Sequence, residues 1–289
     1  EGEVSGDALL AALPGTRRVG SKPFAVEGLS EATGEWETPR LGQRYRSLQA
    51  GALERNAQLS LIVTPAVFSD DRSSGISQTL GDPAAQLNVM FSHASGLYAG
   101  VWTSNVDFGH DDEARQELEY YAGYYWQITD AISLDTWYTQ YDFSGASQYN
   151  QSDVQATLDA YGVLLGAKYA SNVKGPDYED ENGNWHTGAQ NEDLASAFIG
   201  YRTLLPAEIG FEARYEYVDY KDEAFWNSDF SSSRSDYRDW EIKLTRDLLG
   251  VTWGLSYIDT DLSKAECLNF MGYDDVCSAT LMASASKSF

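Results

Sequence analysis

Residues 209–220 read IGFEARYEYVDY, and this stretch decides the fold. Its side chains alternate, so that Glu212, Arg214 and Glu216 fall on one face of an extended chain. The other face carries apolar and aromatic side chains: Ile209, Phe211, Ala213, Tyr215 and Tyr217. A period of two is that of a β-strand, in which successive side chains point to opposite faces. The stretch therefore predicts a strand with one charged face and one apolar face.

The same alternation recurs along most of the chain after residue 56. It is present in LEYYAGYYWQI (118–128), RDWEIKLTRD (238–247) and VTWGLSYIDT (251–260). The helical period of 3.6 residues is nearly absent. Strands are therefore predicted as the main secondary structure. Turning the charged face of 209–220 toward lipid would cost roughly 2 to 4 kcal/mol for a basic residue at the membrane midplane, which fixes the register.

Short and long connections alternate between these strands. Five short turns are predicted, at 93–96, 128–132, 164–167, 204–208 and 247–251. Six long polar loops alternate with them, at 69–84, 107–116, 143–157, 174–192, 221–235 and 262–277. They join twelve strands if LDAYGVLLGAKYASNV (158–173) is divided into two strands that meet near Gly166.

An even number of antiparallel strands, with short turns at one end and long loops at the other, is typical of bacterial outer-membrane barrels. The predicted fold class is all-β: a transmembrane, antiparallel, up-and-down β-barrel of twelve strands with an N-terminal non-barrel extension. The alternative is a soluble sandwich or barrel, whose strands also alternate. We expect a cylinder of twelve strands to be too wide for the small and charged inward residues to fill, which disfavours the soluble fold.

Charge divides the chain near residue 56. The formal net charge is −24, and residues 1–55 hold 8 acidic and 7 basic side chains, so that residues 56–289 carry −23. Residues 1–55 are predicted to be a periplasmic extension that acts as a plug or docks a partner, and residues 56–289 are predicted to form the barrel. The basic residues suited to an acidic lumen are Arg40, Arg44 and Arg46. The negative charge argues against nucleic acid as a partner.

Several short motifs follow one another within residues 59–108. They comprise Ser69, Asp70; Gly75, Ile76, Ser77, Gln78; Pro83, Ala84; and Gly96, Tyr98, Gly100, Trp102, Ser104, Asn105. In this order they resemble the opening of the TorF or Gcw_chp family of proteobacterial outer-membrane porins. The resemblance implies an outer-membrane barrel with a porin function. The chain departs from the family at Asp71 and Ser74, where the family usually has an aromatic residue and an arginine.

Charged side chains on the inward strand faces are the candidate pore lining. They are seven carboxylates and four bases: Glu119, Asp135, Asp159, Glu212, Glu216, Asp239 and Glu241, with Lys168, Arg202, Arg214 and Lys243. Such an interior can hydrate a pore or close it with ion pairs, because twelve strands lie between filled eight-stranded barrels and open sixteen-stranded porins. If the pore is open, the excess of carboxylates predicts weak cation preference and passage of small polar solutes.

No catalytic, cofactor or metal site is predicted. The histidines are scattered along the chain, at His93, His110 and His186, and no HExxH, GxSxG, P-loop or CxxC pattern is present. We therefore expect that the protein is not an enzyme. One acidic loop offers oxygen ligands of the kind that Ca²⁺ takes, but its spacing differs from that of an EF-hand. Its candidate ligands are Asp177, Glu179, Asp180 and Glu181.

Two features near the C-terminus complete the prediction. The only cysteines, Cys267 and Cys277, lie ten positions apart in a loop-like stretch and are expected to form a disulfide in an oxidising compartment. The chain ends in SATLMASASKSF, whose terminal Phe289 resembles the signal read by the barrel-assembly machinery. This strand is expected to close the barrel against residues 59–68. Lys287 would then face lipid near the rim and reach water with its long side chain.

Two functions are compatible with these features. The first is a channel for small polar solutes. The second is a structural or scaffolding barrel, which anchors a periplasmic or cell-surface protein through its N-terminal extension and long outer loops. In both cases outer-membrane lipid and the barrel-assembly machinery are expected partners, and both chain ends are expected in the periplasm. The sequence leaves the solute, the protein partner and the oligomeric state open.

Overall fold

A computed structural model describes residues 59–109, 113–174, 178–179, 185–186, 190–221 and 223–289. The extension 1–55, with Arg40, Arg44 and Arg46, lies outside the described residues, as does His110. Of the acidic-loop residues, Asp177, Asp180 and Glu181 also lie outside them, and Glu179 is described only in its backbone. The predictions on the plug and on calcium therefore stay predictions.

Twelve long strands form the barrel. They are β1 (Leu59–Phe68), β2 (Ala84–His93), β3 (Leu97–Asn105), β4 (Gln116–Thr129), β5 (Ile132–Ser144), β6 (Gln151–Ala160), β7 (Val163–Lys174), β8 (Gln190–Leu205), β9 (Ile209–Asp219), β10 (Asp236–Leu248), β11 (Val251–Thr260) and β12 (Thr280–Ser286). Each strand pairs with its neighbours in the chain, and β12 pairs with β1, so that the sheet is closed. The predicted fold class and strand number are confirmed.

The closing seam joins β12 to β1 as predicted. Residues 66–68 lie opposite residues 284–286 in antiparallel register. Pairing continues beyond β12, since the Phe289 N–H donates to the Val63 oxygen at 3.0 Å and the Val63 N–H donates back at 3.3 Å. Lys287 points outward, with Nζ 5.0 Å from the centroid of the Phe289 ring. The C-terminal residues are therefore part of the barrel wall.

Two predicted connections have different bounds in the structure. The turn between β6 and β7 lies at Tyr161 and Gly162, not near Gly166, which lies inside β7. Both turn residues have positive φ, 57° and 87°, as a two-residue hairpin turn of type I′ requires. The loop predicted over 143–157 is also shorter, because β6 already begins at Gln151.

A helix, α1 (Lys264–Met271), occupies the stretch that was predicted as a loop. Ser263 and Glu266 form a capping box at its start, in which each side chain accepts from the other residue's backbone N–H. Gly272 ends the helix with φ 80°. The Ser-x-x-Glu spacing is a helix-start signal, so the sequence did contain this helix.

Outward side chains form an apolar belt around the barrel. Large apolar residues on the outer faces are about half exposed, among them Leu61, Phe91, Trp126, Ile199 and Trp253. The inward faces hold the more polar side chains that alternate with these apolar ones along each strand. This was predicted for residues 118–128, 209–220, 239–246 and 251–260. A soluble barrel would bury its apolar face, whereas a transmembrane barrel turns it to lipid. Among the described residues, no helix is long and apolar enough to cross a membrane.

Candidate functional site

All eleven predicted lumen residues lie on the inward faces, and none is more than 9% exposed. Five further buried charged residues were missed: Glu117, Asp153, Asp70, Asp71 and Arg72. Strand parity with Glu119 could have identified Glu117. Asp153 was missed because residues 143–157 were predicted as a loop. The other three belong to the loop 69–83, whose position inside the barrel has no local signal in the sequence.

One side of the lumen is a charged wall on β8, β9 and β10. In the sheet register, Arg202 lies opposite Glu212, which lies opposite Lys243. Arg214 lies opposite Glu241 in the next row. Because cross-strand neighbours on one face lie about 5 Å apart, these rows place opposite charges side by side.

Among the described residues, Arg214 and Arg202 of this wall each form an ion pair. Arg214 Nη2 lies 2.7 Å from Glu216 Oε2, and the guanidinium carbon of Arg214 lies 3.8 Å from the centroid of the Phe198 ring. Arg202 pairs with Asp159 across the lumen face of β6 to β8. The charged wall is therefore partly neutralised by internal contacts.

The other side of the lumen is an aromatic wall on β3, β4 and β5. Its members are Tyr98, Trp102, Tyr121, Tyr125 and Trp137, which pack in one buried cluster. The Tyr98 hydroxyl donates to Asp135 Oδ1 at 2.7 Å, and the Tyr121 hydroxyl donates to Asn88 Oδ1 at 2.6 Å.

Glycine on neighbouring strands makes room for two of these rings. A Cβ at Gly100 would collide with the Tyr121 hydroxyl, and a Cβ at Gly123 would collide with that of Tyr98. The phenol end of each tyrosine therefore lies against a glycine of the adjacent strand. This packing gives a physical role to Gly100 in the Gly-x-Tyr-x-Gly-x-Trp motif.

The loop 69–83 folds into the lumen and is the element that narrows it. Asp70 accepts hydrogen bonds from Arg72 Nε at 2.7 Å and from Ser77 Oγ at 2.5 Å. Arg72 also donates to the backbone oxygens of Gly75 and Ser278, both at 2.9 Å. Two short pairs of strand residues, at 72–73 and 76–77, hold the loop as a hairpin. The conspicuous Ser-Asp and Gly-Ile-Ser-Gln motifs are thus the parts of one internal hairpin.

Ser74 and Gly75 form the tip of this hairpin and contact the opposite side of the barrel. Ser74 Oγ donates to Glu216 Oε2 at 3.3 Å, and its backbone oxygen accepts from the Tyr237 hydroxyl at 3.0 Å. A Cβ at Gly75 would lie 2.5 Å from Thr260 Cγ2 and 3.0 Å from Asp239 Cβ. Only glycine fits this position, which also has φ 83°.

The base of the hairpin is held on β2 and β3. Asp71 Oδ2 accepts from Ser104 Oγ at 2.9 Å and from Gln86 Nε2 at 3.0 Å. Burial raises the pKa of Asp71 to about 6, although these two hydrogen bonds lower it, and neighbouring Asp70 raises it further. The loop therefore spans the lumen from β2 and β3 to β9, β10 and β11.

An apolar cap covers the hairpin at the loop end of the barrel. It includes Ile76, Phe225, Tyr237 and Val276, and it contains the disulfide between Cys267 and Cys277. The Ser77 N–H donates to the Val276 oxygen at 2.9 Å. The predicted disulfide is confirmed, and it ties α1 to the chain that leads into β12. The cap and the hairpin pack as one unit.

Metal-binding geometry is not seen in the described ranges, where no group of three or more His, Cys, Asp or Glu side chains could hold an ion.

A family model matches residues 54–289, and its description reads "Bacterial protein of unknown function (Gcw_chp)". The chain belongs to the Gcw_chp family. This match extends well beyond the motif region 59–108 on which the resemblance was based. No curated protein shows significant similarity to the chain.

Solved structures similar to this Gcw_chp protein include three outer-membrane proteins. The KdgM porin, solved in complex with disordered oligogalacturonate, has a TM-score of 0.46 and 9% identity over 80% of this chain and 99% of that one. The NanC porin has a TM-score of 0.44 and 10% identity over 79% and 98%. The outer membrane protein OprD from Pseudomonas aeruginosa has a TM-score of 0.36 and 9% identity over 72% and 59%.

Proposed function

We propose that this Gcw_chp protein is an outer-membrane channel for small polar solutes with weak cation preference. The observation that carries the proposal is the composition of the lumen. Among the described residues, eleven carboxylates and five basic side chains are buried inside the barrel, an excess of six carboxylates. The argument for a channel is the energetic cost of burying this excess of carboxylates.

Burial of uncompensated charge is costly. Removing an ion from water costs several kcal/mol even after relaxation, while a folded protein is stable by only about 5 to 15 kcal/mol in total. If all were ionised in a dry interior, the six carboxylates in excess of the bases would cost more than that stability. The lumen charge therefore favours an interior that exchanges water and mobile cations with the solution, which is the property of a cation-preferring channel.

The hairpin of residues 69–83 is the proposed constriction of this channel. Its tip contacts Glu216, Tyr237, Asp239 and Thr260 across the lumen. In its docked position it narrows the path at the loop end of the lumen. Conduction then requires the hairpin to loosen or to leave a path beside the charged wall.

The test is the reversal potential of the purified protein in a planar bilayer under a KCl gradient. We expect the sign of the reversal potential to show cation preference. Its magnitude should be smaller in the double variant Glu119→Gln, Glu241→Gln, which removes two of the six excess charges. Asp259→Asn is the matched control, because Asp259 lies on the outward face of β11. Absence of conductance in wild type and in variants that undock the hairpin would overturn the proposal, as would anion preference.

A structural barrel is the second candidate function, and the near-complete burial of the lumen favours it. In this alternative, residues 1–55 and the outer loops hold a periplasmic or cell-surface protein. Deleting residues 1–50 separates the two candidates. Conductance should rise if the extension is a plug, whereas loss of a co-purifying protein with unchanged conductance favours the scaffold.

A further inference from the structure

Four buried polar atoms on one side of the lumen have no hydrogen-bond partner among the described residues. They are Gln86 Oε1, Trp102 Nε1, Asp135 Oδ2 and Thr157 Oγ1. None of the four residues is more than 5% exposed. Leaving a buried polar atom unpaired costs about 1 to 3 kcal/mol, so these groups together favour a ligand that can pair with them.

These atoms lie on or beside the aromatic wall. Asp135 lies directly opposite Tyr125 on β4 and Thr157 on β6, and its other oxygen is held by Tyr98. Trp102 belongs to the same aromatic cluster as Tyr98 and Trp137. The inward faces of β2 to β6 thus carry both aromatic rings and groups that can donate or accept hydrogen bonds. These side chains extend from the barrel end with the long loops toward the end with the short turns.

The set of groups discriminates between classes of ligand. Asp135 Oδ2 requires a donor, Trp102 Nε1 requires an acceptor, and the Thr157 hydroxyl can do either. A protonated polyamine can donate to Asp135 but has no acceptor for Trp102. An acidic solute is disfavoured by the six excess carboxylates of the lumen. A neutral sugar has hydroxyl groups that donate and accept, together with an apolar face that packs on aromatic rings.

We infer that the aromatic wall, with Asp135, Thr157 and Gln86, is a binding track for neutral saccharides. This inference rests on the proposed channel function and gives it a class of solute. The hairpin covers the loop end of the track, where Asp71 holds Gln86 and Ser104 at 3.0 and 2.9 Å. Sugar hydroxyls can take over those two hydrogen bonds when the hairpin withdraws.

The test is equilibrium dialysis of radiolabelled maltotriose against the protein folded in detergent. We expect saturable binding, strengthened in Asp71→Ala, which frees the loop end of the track. In that background, Trp102→Phe and Asp135→Asn should each weaken binding about tenfold, the effect of losing one hydrogen bond to a buried or charged group. Asp135→Asn keeps the shape of the side chain and Trp102→Phe keeps an aromatic ring, and folding is checked by the heat-dependent shift in gel mobility.

Tyr138→Ala is the matched control, because Tyr138 is an outward-facing aromatic residue next to Trp137 on β5. Unchanged binding in this variant and weaker binding of a galacturonate trimer are expected. The inference is wrong if maltotriose does not bind, if both lumen variants bind it as wild type does, or if spermidine binds in its place.

Binding in detergent does not depend on conduction, so the two proposals can fail separately. Ion conduction without maltotriose binding would support the channel function and contradict the saccharide track. Maltotriose binding without any conductance would leave a saccharide site and overturn the channel.

Discussion

Asp71 is a carboxyl group that burial has moved into the physiological pH range. Its pKa is raised from 3.8 to about 6, and its carboxylate is held by Ser104 and Gln86 inside the barrel. When the hairpin 69–83 is undocked, the same group is in water and returns to its ordinary value. Docking of the hairpin is therefore linked to proton uptake.

The sign of this linkage follows from the raised pKa. Above about pH 6 the docked hairpin must hold a buried charge, at a cost of up to about 3 kcal/mol for a shift of two pH units. As the pH falls from 6 toward 3.8, Asp71 in the docked hairpin binds a proton and the free-energy cost of docking decreases. Below pH 3.8 both forms are protonated, so the docking equilibrium does not change further. Docking should therefore be favoured by acid.

We predict that single-channel conductance falls when the pH is lowered from 7.5 to 5. In Asp71→Asn the part of this response that belongs to Asp71 should be absent, and the hairpin should stay docked at both values. Conductance in planar bilayers, compared between the two proteins, measures the difference. An identical pH response in wild type and Asp71→Asn would contradict the prediction.

At the scale of one element, the hairpin 69–83 combines a fixed base with one tip position, Gly75, that tolerates no side chain. Gly75 and Gly81 both have positive φ, 83° and 80°, so alanine costs about 1 kcal/mol of backbone strain at either position. Only Gly75 has atoms in the way, whereas nothing lies within 4 Å of a Cβ at Gly81. The two glycines are a matched pair.

Gly75→Ala should undock the hairpin tip, and Gly81→Ala should leave it docked. Arg72 reports the difference, because it is 3% exposed in the docked hairpin and trypsin cleaves after arginine. We expect cleavage after Arg72 at least tenfold faster in Gly75→Ala than in Gly81→Ala, with higher conductance. Equal cleavage rates would show that backbone strain, not the contact with Thr260 and Asp239, controls the hairpin.

For the whole molecule, closure depends on the seam between β12 and β1. The backbone of Phe289 completes this seam, while its side chain is 72% exposed on the outer surface. The side chain therefore contributes little to packing within the barrel. A substitution of the Phe289 side chain can therefore test its proposed role in assembly without greatly changing the stability of the barrel.

Phe289→Ala should fold in detergent as wild type does, with a change of at most about 0.5 kcal/mol in the free energy of unfolding. In cells, the amount of inserted barrel should fall several-fold, because the terminal ring is the proposed signal for the assembly machinery. Leu281→Ala is the control, since it removes a similarly exposed apolar side chain from β12. If both variants insert equally well, Phe289 is not such a signal.

Local patterns in the sequence determined the strands, their faces and their number. The period of two is a property of each segment, so the inward positions of Glu212, Arg214 and Lys243 could be predicted without knowledge of the fold. Connections were less certain because glycines occur both in turns and under aromatic rings. Gly162 forms the turn, while Gly166 lies under Phe198.

Only the tertiary structure decided what fills the lumen. We expected the cylinder to be too wide for its small and charged inward residues to fill, and in the structure Trp102, Tyr121 and the hairpin 69–83 also occupy the interior. The loop that carries Asp70, Asp71 and Arg72 contacts strands far away in the chain, β9 to β11, through its tip residues Ser74 and Gly75. A loop rich in Ser, Asp and Gly has the same local composition whether it lies in solvent or in a lumen. The barrel wall was therefore encoded locally, whereas the constriction depends on long-range packing.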